Sequence, residues 1–200
     1  MKVLLFNGSP KANGNTALAL KEMAAIFEKE GIEAEIIHVG NREIRGCIAC
    51  GSCGKKGKCV FDDLVNDVAP KFAEADGLVV GSPVYYAGAN ATVMAFMQRL
   101  FYSTNFDKTM KVGASVAVAR RGGCSATYDE MNKFFGISGM PIASSQYWNS
   151  VHGGAPGGRR GHADHAHPGA EHGIPDEGHR SGQSAVRIAG KGKARLDELH

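Results

Sequence analysis

Four cysteines fall within thirteen positions, in the spacing Cys47-x2-Cys50-x2-Cys53-x5-Cys59. Thiols this close in sequence can converge on one point without help from elsewhere in a fold. Thiolates at this spacing suit a [4Fe–4S] cluster, and tetrahedral zinc less well. Gly46, Gly51, Gly54 and Gly57 would let the backbone wrap closely around such a centre. Free thiols in a surface loop stay open as a third reading. Cys124, the fifth cysteine, has no base near it in sequence and reads as a small packing residue.

A second group lies at Gly8-Ser9-Pro10-Lys11-Ala12-Asn13-Gly14-Asn15-Thr16. The apolar run Val3-Leu4-Leu5-Phe6 precedes it, and a helix-period segment starts at Thr16. A strand, a Gly/Ser/Thr/Asn loop and a helix start together form an anion site, because free N–H groups and the helix dipole favour negative charge there. The loop has neither the Gly-Lys-Ser/Thr of a Walker A motif nor the spacing of a dinucleotide fingerprint. Many hydroxyl and amide donors with one lysine suit a monophosphate.

Two further loops could meet a flat ring. Gly81-Ser82-Pro83-Val84-Tyr85-Tyr86-Ala87-Gly88 offers aromatics and backbone groups, with half-buried packing as the alternative role of Tyr85 and Tyr86. Ala119-Arg120-Arg121-Gly122-Gly123 offers close backbone approach, and an arginine there could offset negative charge or simply be solvated. Asn149 and His152 would lie on the same rim, with His152 favoured as a structural residue.

The elements that must position these loops alternate along residues 2–150. Short apolar strands are predicted at Lys2–Phe6, Glu33–Val39, Gly77–Gly81, Lys111–Val118 and Pro141–Tyr147, as in strands buried on both faces. Helix patterns lie between them. Leu20, Met23 and Phe27 share a face in Thr16–Glu30, which Gly31 ends. Asp62 or Asp63 can cap Leu64–Ala73, which Pro70 should kink. Val93, Phe96, Met97 and Leu100 line a third helix, and Tyr128–Phe135 reads as a fourth. This alternation predicts an α/β doubly wound sheet, with the ligand outside the carboxyl ends of its strands.

The length of 200 residues fits one domain, and the net charge of +3 is small and scattered. No basic stripe interleaved with aromatics points to nucleic acid. No apolar run approaches the roughly 20 residues of a membrane span. The start has no signal-peptide pattern, so a cytoplasmic location is expected, where thiols serve metal or redox chemistry more than staples.

Together these motifs resemble the NAD(P)H-dependent FMN reductase family, in its branch of iron–sulfur flavoproteins and multimeric flavodoxin-like proteins. The residues that carry the resemblance are Gly8-Ser9-Pro10 to Asn15-Thr16, the four-cysteine loop with Asp62-Asp63, Ala75-Asp76-Gly77, Gly81–Tyr85, and Tyr147-Trp148-Asn149 with Val151-His152-Gly153. The resemblance implies a flavodoxin-like three-layer fold with a five-stranded parallel sheet in the order 2-1-3-4-5. It implies FMN, its phosphate held by Ser9, Lys11, Asn13, Asn15 and Thr16. Ring contacts would come from Pro83, Val84, Tyr85 and Tyr86 and from Ala119, Arg120, Gly122 and Gly123. NAD(P)H would be the electron donor, and a small acceptor or a redox protein the recipient. A [4Fe–4S] cluster on Cys47, Cys50, Cys53 and Cys59 and a homodimer or homotetramer are also implied.

The resemblance covers residues 1–153, the expected FMN-binding domain. Family members continue into a long amphipathic helix, whereas residues 154–200 are rich in Gly, Arg and His, with Ile174, Val186, Ile188, Leu196 and Leu199 as their large aliphatics. On composition this tail is expected to be disordered. A single-nucleotide frameshift near Gly153–Gly158 would account for the change, since allowed codons from Gly161 onward reread as GMQTMRTLARNMAFLMKAI, with apolar residues at helical spacing. On that reading His162, His165, His167, His172 and His179 are not a metal tract. The chain would also hold FMN less well than a frame-restored one.

Overall fold

The computed structural model describes residues 1–145 and 147–152. The expected loss of the C-terminal helix, the tail domain and the histidine tract lie outside the described residues.

Five parallel strands form the sheet: β1 (Lys2–Asn7), β2 (Glu33–His38), β3 (Gly77–Tyr85), β5 (Val112–Ala119) and β6 (Ser150–His152). Their order is β2-β1-β3-β5-β6, and the two-residue β4 (Gly88–Ala89) folds back antiparallel on β3. Without that hairpin arm this is the expected 2-1-3-4-5 order of a flavodoxin-like sheet.

Strand alternation divides the core in two. Val3 and Leu5 of β1, Val79 of β3 and Val116 and Val118 of β5 pack with Leu20, Met23 and Phe27 of α1 (Asn15–Lys29). Leu4, Phe6, Leu78 and Val80 point the other way. They meet Val65, Val68 and Phe72 of α3 (Leu64–Glu74), Phe96, Met97 and Leu100 of α4 (Ala91–Ser103), and Met131 and Phe135 of α5 (Cys124–Ile137). The result is three layers.

Local signals set the helix ends. Asp63, rather than Asp62, caps α3, its carboxylate accepting the Val65 N–H at 3.1 Å. α3 runs through Pro70 to Glu74 as one helix. Asn90 caps α4 by accepting from Thr92 N–H at 2.8 Å and Val93 N–H at 3.3 Å. α5 begins four residues before the predicted start.

The last strand is a correction. The predicted strand at Pro141–Tyr147 makes a single bridge, Ile142 opposite Gly113. The chain then leaves the sheet and re-enters at Ser150–His152, opposite Ala117–Ala119. Asn149 drives this excursion: it is buried, its side-chain oxygen accepts the Ser145 N–H at 2.9 Å, and its carbonyl accepts the Ala117 N–H at 3.0 Å. A polar residue that closes a turn on itself competes with ladder pairing, and apolar patterning does not register that competition.

Candidate functional site

The loops leaving β1, β3 and β5 all emerge at the carboxyl edge of the sheet. After β1, Gly8 N–H donates to the Gly81 carbonyl at 2.8 Å, which joins the first loop to the third strand. Ser9 is buried; its N–H donates to Asn7 Oδ1 at 3.0 Å and its hydroxyl accepts the Lys11 N–H at 3.2 Å. Lys11 and Asn13 are exposed, Asn15 is half-buried and Thr16 is buried. Lys21 Nζ donates to Asn13 Oδ1 at 3.2 Å. The N-cap of α1 is Gly14, and no side chain caps that end. The first-turn N–H groups therefore lack the side-chain acceptor found in most helices, which leaves the helix start suited to an anion.

Two residues missed in the sequence brace this loop from behind. His38, ending β2, lies with Nε2 2.7 Å from the Ser9 carbonyl. A carbonyl only accepts, so Nε2 carries the proton. Gly40 is buried against the same turn: a Cβ there would lie 2.2 Å from the Gly8 carbonyl oxygen. His38→Ala is expected to lower stability by about 1–1.5 kcal/mol, the worth of one hydrogen bond. His38→Gln, which can donate from a similar position, should recover most of it. Urea unfolding of both variants measures the loss and the recovery.

The second and third loops also meet. β3 and β4 are joined by Tyr86 and Ala87 alone, both at positive φ (50° and 62°), the geometry of a type I′ turn. Tyr86 is fully exposed, Tyr85 is partly exposed, and Pro83 and Val84 are half-buried. Gly123, at φ 96°, packs against this turn: a Cβ there would come within 2.7 Å of Ala87 Cα. Glu130 of α5 holds the far arm by accepting the Ala89 N–H at 2.8 Å. Ala119 is buried at the end of β5, while Arg120 and Gly122 are exposed. His152 is exposed opposite Ala119 on the same rim. Cys124 is buried, with its sulfur 3.8 Å from the Ala117 carbonyl oxygen, as a packing residue would be.

The four-cysteine segment has a different character. Cys47 and Cys50 are exposed, and Cys53 lies half-buried in the short helix α2 (Ser52–Lys56). Among the described residues no three His, Cys, Asp or Glu side chains are gathered as a metal site. Cys59 is held firmly: Asn66 accepts its N–H at 3.0 Å and donates to its carbonyl at 3.1 Å. Arg99, 1 % exposed on α4, donates to the Cys59 sulfur from Nε at 3.3 Å and from Nη2 at 3.2 Å. It also pairs with both Asp63 oxygens, at 2.6 and 2.9 Å. Burial alone would lower the Arg99 pKa, but the hydrogen bonds to Asp63 and Cys59 and the Asp63 charge outweigh it and raise the pKa above its ordinary value. Four thiols, one facing a fixed cation, are a donor set chemically suited to a thiolate-held centre. The sequence signal for Arg99 was an arginine three residues after Phe96, inside an apolar helix stripe, where a charge requires a partner.

Residues 1–155 match the family model described as NADPH-dependent FMN reductase. An iron-sulfur flavoprotein of Methanocaldococcus jannaschii is 37% identical over 165 residues, covering 78% of this chain and 86% of that protein. Among solved structures, RosB with bound 8-demethyl-8-formylriboflavin-5'-phosphate superposes with a TM-score of 0.70 at 18% identity, covering 96% of this chain and 79% of RosB. A flavodoxin from the domain Archaea superposes with a TM-score of 0.59 at 14% identity, covering 96% of this chain and 99% of the flavodoxin. The two structures share the fold.

Proposed function

Because the chain belongs to the NADPH-dependent FMN reductase family, we propose that it is a flavin-dependent oxidoreductase that takes electrons from NAD(P)H through FMN. The observation that carries this reading is the joining of three strand-end loops into one rim. Gly8 is hydrogen-bonded to Gly81, and Gly123 is seated against Ala87. When bound, FMN supplies the hydride and electron chemistry, and the protein supplies position and electrostatics.

In this reading Ser9, Lys11, Asn13, Asn15 and Thr16 hold the phosphate at the uncapped start of α1. Pro83, Val84, Tyr85 and Tyr86 orient the ring from one side. Ala119, Arg120, Gly122 and Gly123 approach it from the other, with Arg120 placing positive charge at the rim. Cys47, Cys50, Cys53 and Cys59 would hold a [4Fe–4S] cluster, a reading supported by the similarity to proteins named iron-sulfur flavoproteins. A centre held there would supply an electron acceptor beside the flavin, and a small acceptor is the other recipient. The working protein is a homo-oligomer. Residues 154–200 are an out-of-frame tail, a reading supported by a family match that ends at residue 155; resequencing the gene tests it, and the absence of a shifted open frame would end it.

One anaerobic experiment tests the main reading. The reconstituted protein should show the paired absorbance bands of an oxidised flavin, and these should bleach rapidly on mixing with NADPH or NADH. A flavin that binds but stays oxidised after mixing would overturn the reductase. That result would favour an electron carrier serving a protein partner, a role that the exposure of Cys47 and Cys50 also favours.

A further inference from the structure

One of the four cysteines is bound to the folded core before any metal arrives. Cys59 is fixed through its backbone by Asn66, which also donates to the Phe61 carbonyl at 2.9 Å. Its sulfur faces Arg99, whose five N–H donors are all engaged. Nε–H and one Nη2–H go to Cys59 Sγ, the other Nη2–H and one Nη1–H go to Asp63, and the second Nη1–H reaches the Arg45 carbonyl at 3.4 Å. The Phe61 ring lies over the guanidinium, 4.9 Å from Cζ to the ring centroid. Asp63 neutralises the cation, so charge balance alone does not require the two bonds to sulfur. A neutral thiol is a weak acceptor, and directing two donors of a buried guanidinium at one is a poor use of them. An anionic or metal-bound sulfur accepts them well.

We propose that Arg99 is a positioning residue for the Cys59 ligand of the thiolate-held centre. Its two N–H bonds fix the sulfur and withdraw charge from it, so that a cluster bound there is easier to reduce. This rests on the cluster reading given under Proposed function. Cys59 is then the anchor ligand, and the exposed segment carrying Cys47, Cys50 and Cys53 closes onto it. Hydrogen bonds to cluster sulfurs and net charge are established controls of cluster potential. Arginine's rigid fork provides what a lysine ammonium, a point charge on a flexible stem, cannot.

The test is anaerobic reconstitution of the full chain with iron and sulfide, followed by redox titration of the cluster signal by electron paramagnetic resonance. Arg99→Lys keeps the charge and a partner for Asp63 but loses the paired hydrogen bonds to sulfur. It should bind a cluster whose reduction equilibrium is about tenfold less favourable, a midpoint about 59 mV more negative for one electron. A cluster with the wild-type midpoint would overturn the role of Arg99 and leave the cluster reading standing. No iron uptake by the wild type would overturn both. If Arg99→Lys does not fold, wild-type holo-protein labelled with 15N-arginine answers instead. Hyperfine coupling from guanidinium nitrogen to the reduced cluster supports the proposal, and its absence overturns it.

Discussion

Gly40→Ala is expected to lower stability by about 3 kcal/mol, the upper end of overpacking costs, and to weaken FMN binding at least about a hundredfold. A Cβ at residue 40 would lie 2.2 Å from the Gly8 carbonyl oxygen and 2.4 Å from both the Gly8 and Ser9 carbonyl carbons. All three are backbone atoms of the proposed phosphate loop, so no rotamer change relieves the overlap. The Gly40 N–H is tied to the Asn7 carbonyl at 3.0 Å and the Val39 N–H to the same oxygen at 2.9 Å, so residue 40 cannot retreat. The loop must move instead, which strains the Gly8–Gly81 bond and displaces Ser9. Gly136→Ala is the control, because a Cβ there meets nothing within 4 Å and its helical position favours alanine. Thermal unfolding and FMN titration of both variants decide the matter. A Gly40→Ala protein with wild-type melting and flavin content would show that the loop is not sealed from behind.

Asp63→Ala is expected to cost about 4 kcal/mol through two losses. Breaking a buried ion pair from one side typically costs 3–5 kcal/mol, because the other charge stays buried without its partner. Here the Arg99 side chain is 1% exposed and that of Asp63 is 25% exposed, so water can partly reach the gap and the low end of that range applies. The α3 N-cap bond to Val65 is lost as well, worth about 1 kcal/mol. Asp63→Asn keeps an acceptor for the cap and loses the charge, so it should fall between wild type and alanine. Exposed Asp62, the other cap candidate in the sequence, should change stability by less than about 0.5 kcal/mol when replaced by alanine. Urea unfolding at constant slope measures all three. Equal midpoints for Asp62→Ala and Asp63→Ala would contradict the pairing with Arg99.

The parts of the fold that were legible in the sequence are those written in local patterns. The unbroken apolar run Val3–Phe6 marked β1 as a strand buried on both faces, and the Gly8–Thr16 loop followed from a strand, small residues and a helix start in a row. What escaped depends on partners far along the chain. His38 meets Ser9 across 29 positions, Glu130 reaches Ala89 across 41, and Arg99 meets Cys59 across 40. Each is a single polar contact with no periodicity of its own. β6 was misplaced for a related reason, since pairing opposite Ala117–Ala119 depends on a turn that Asn149 closes.

The hairpin joining β3 and β4 restricts what evolution or an engineer can change at this rim. Its connection is two residues long, and each of the two already occupies the left-handed region. Replacing Ala87 by glycine, asparagine or aspartate suits that backbone. An insertion or deletion does not. One extra residue would shift the pairing of Tyr85 with Gly88 and Val84 with Ala89, turn alternate side chains to the opposite face, and carry the Ala89 N–H away from Glu130. Family members that keep this arrangement should therefore vary in the letters at these two positions and not in their number.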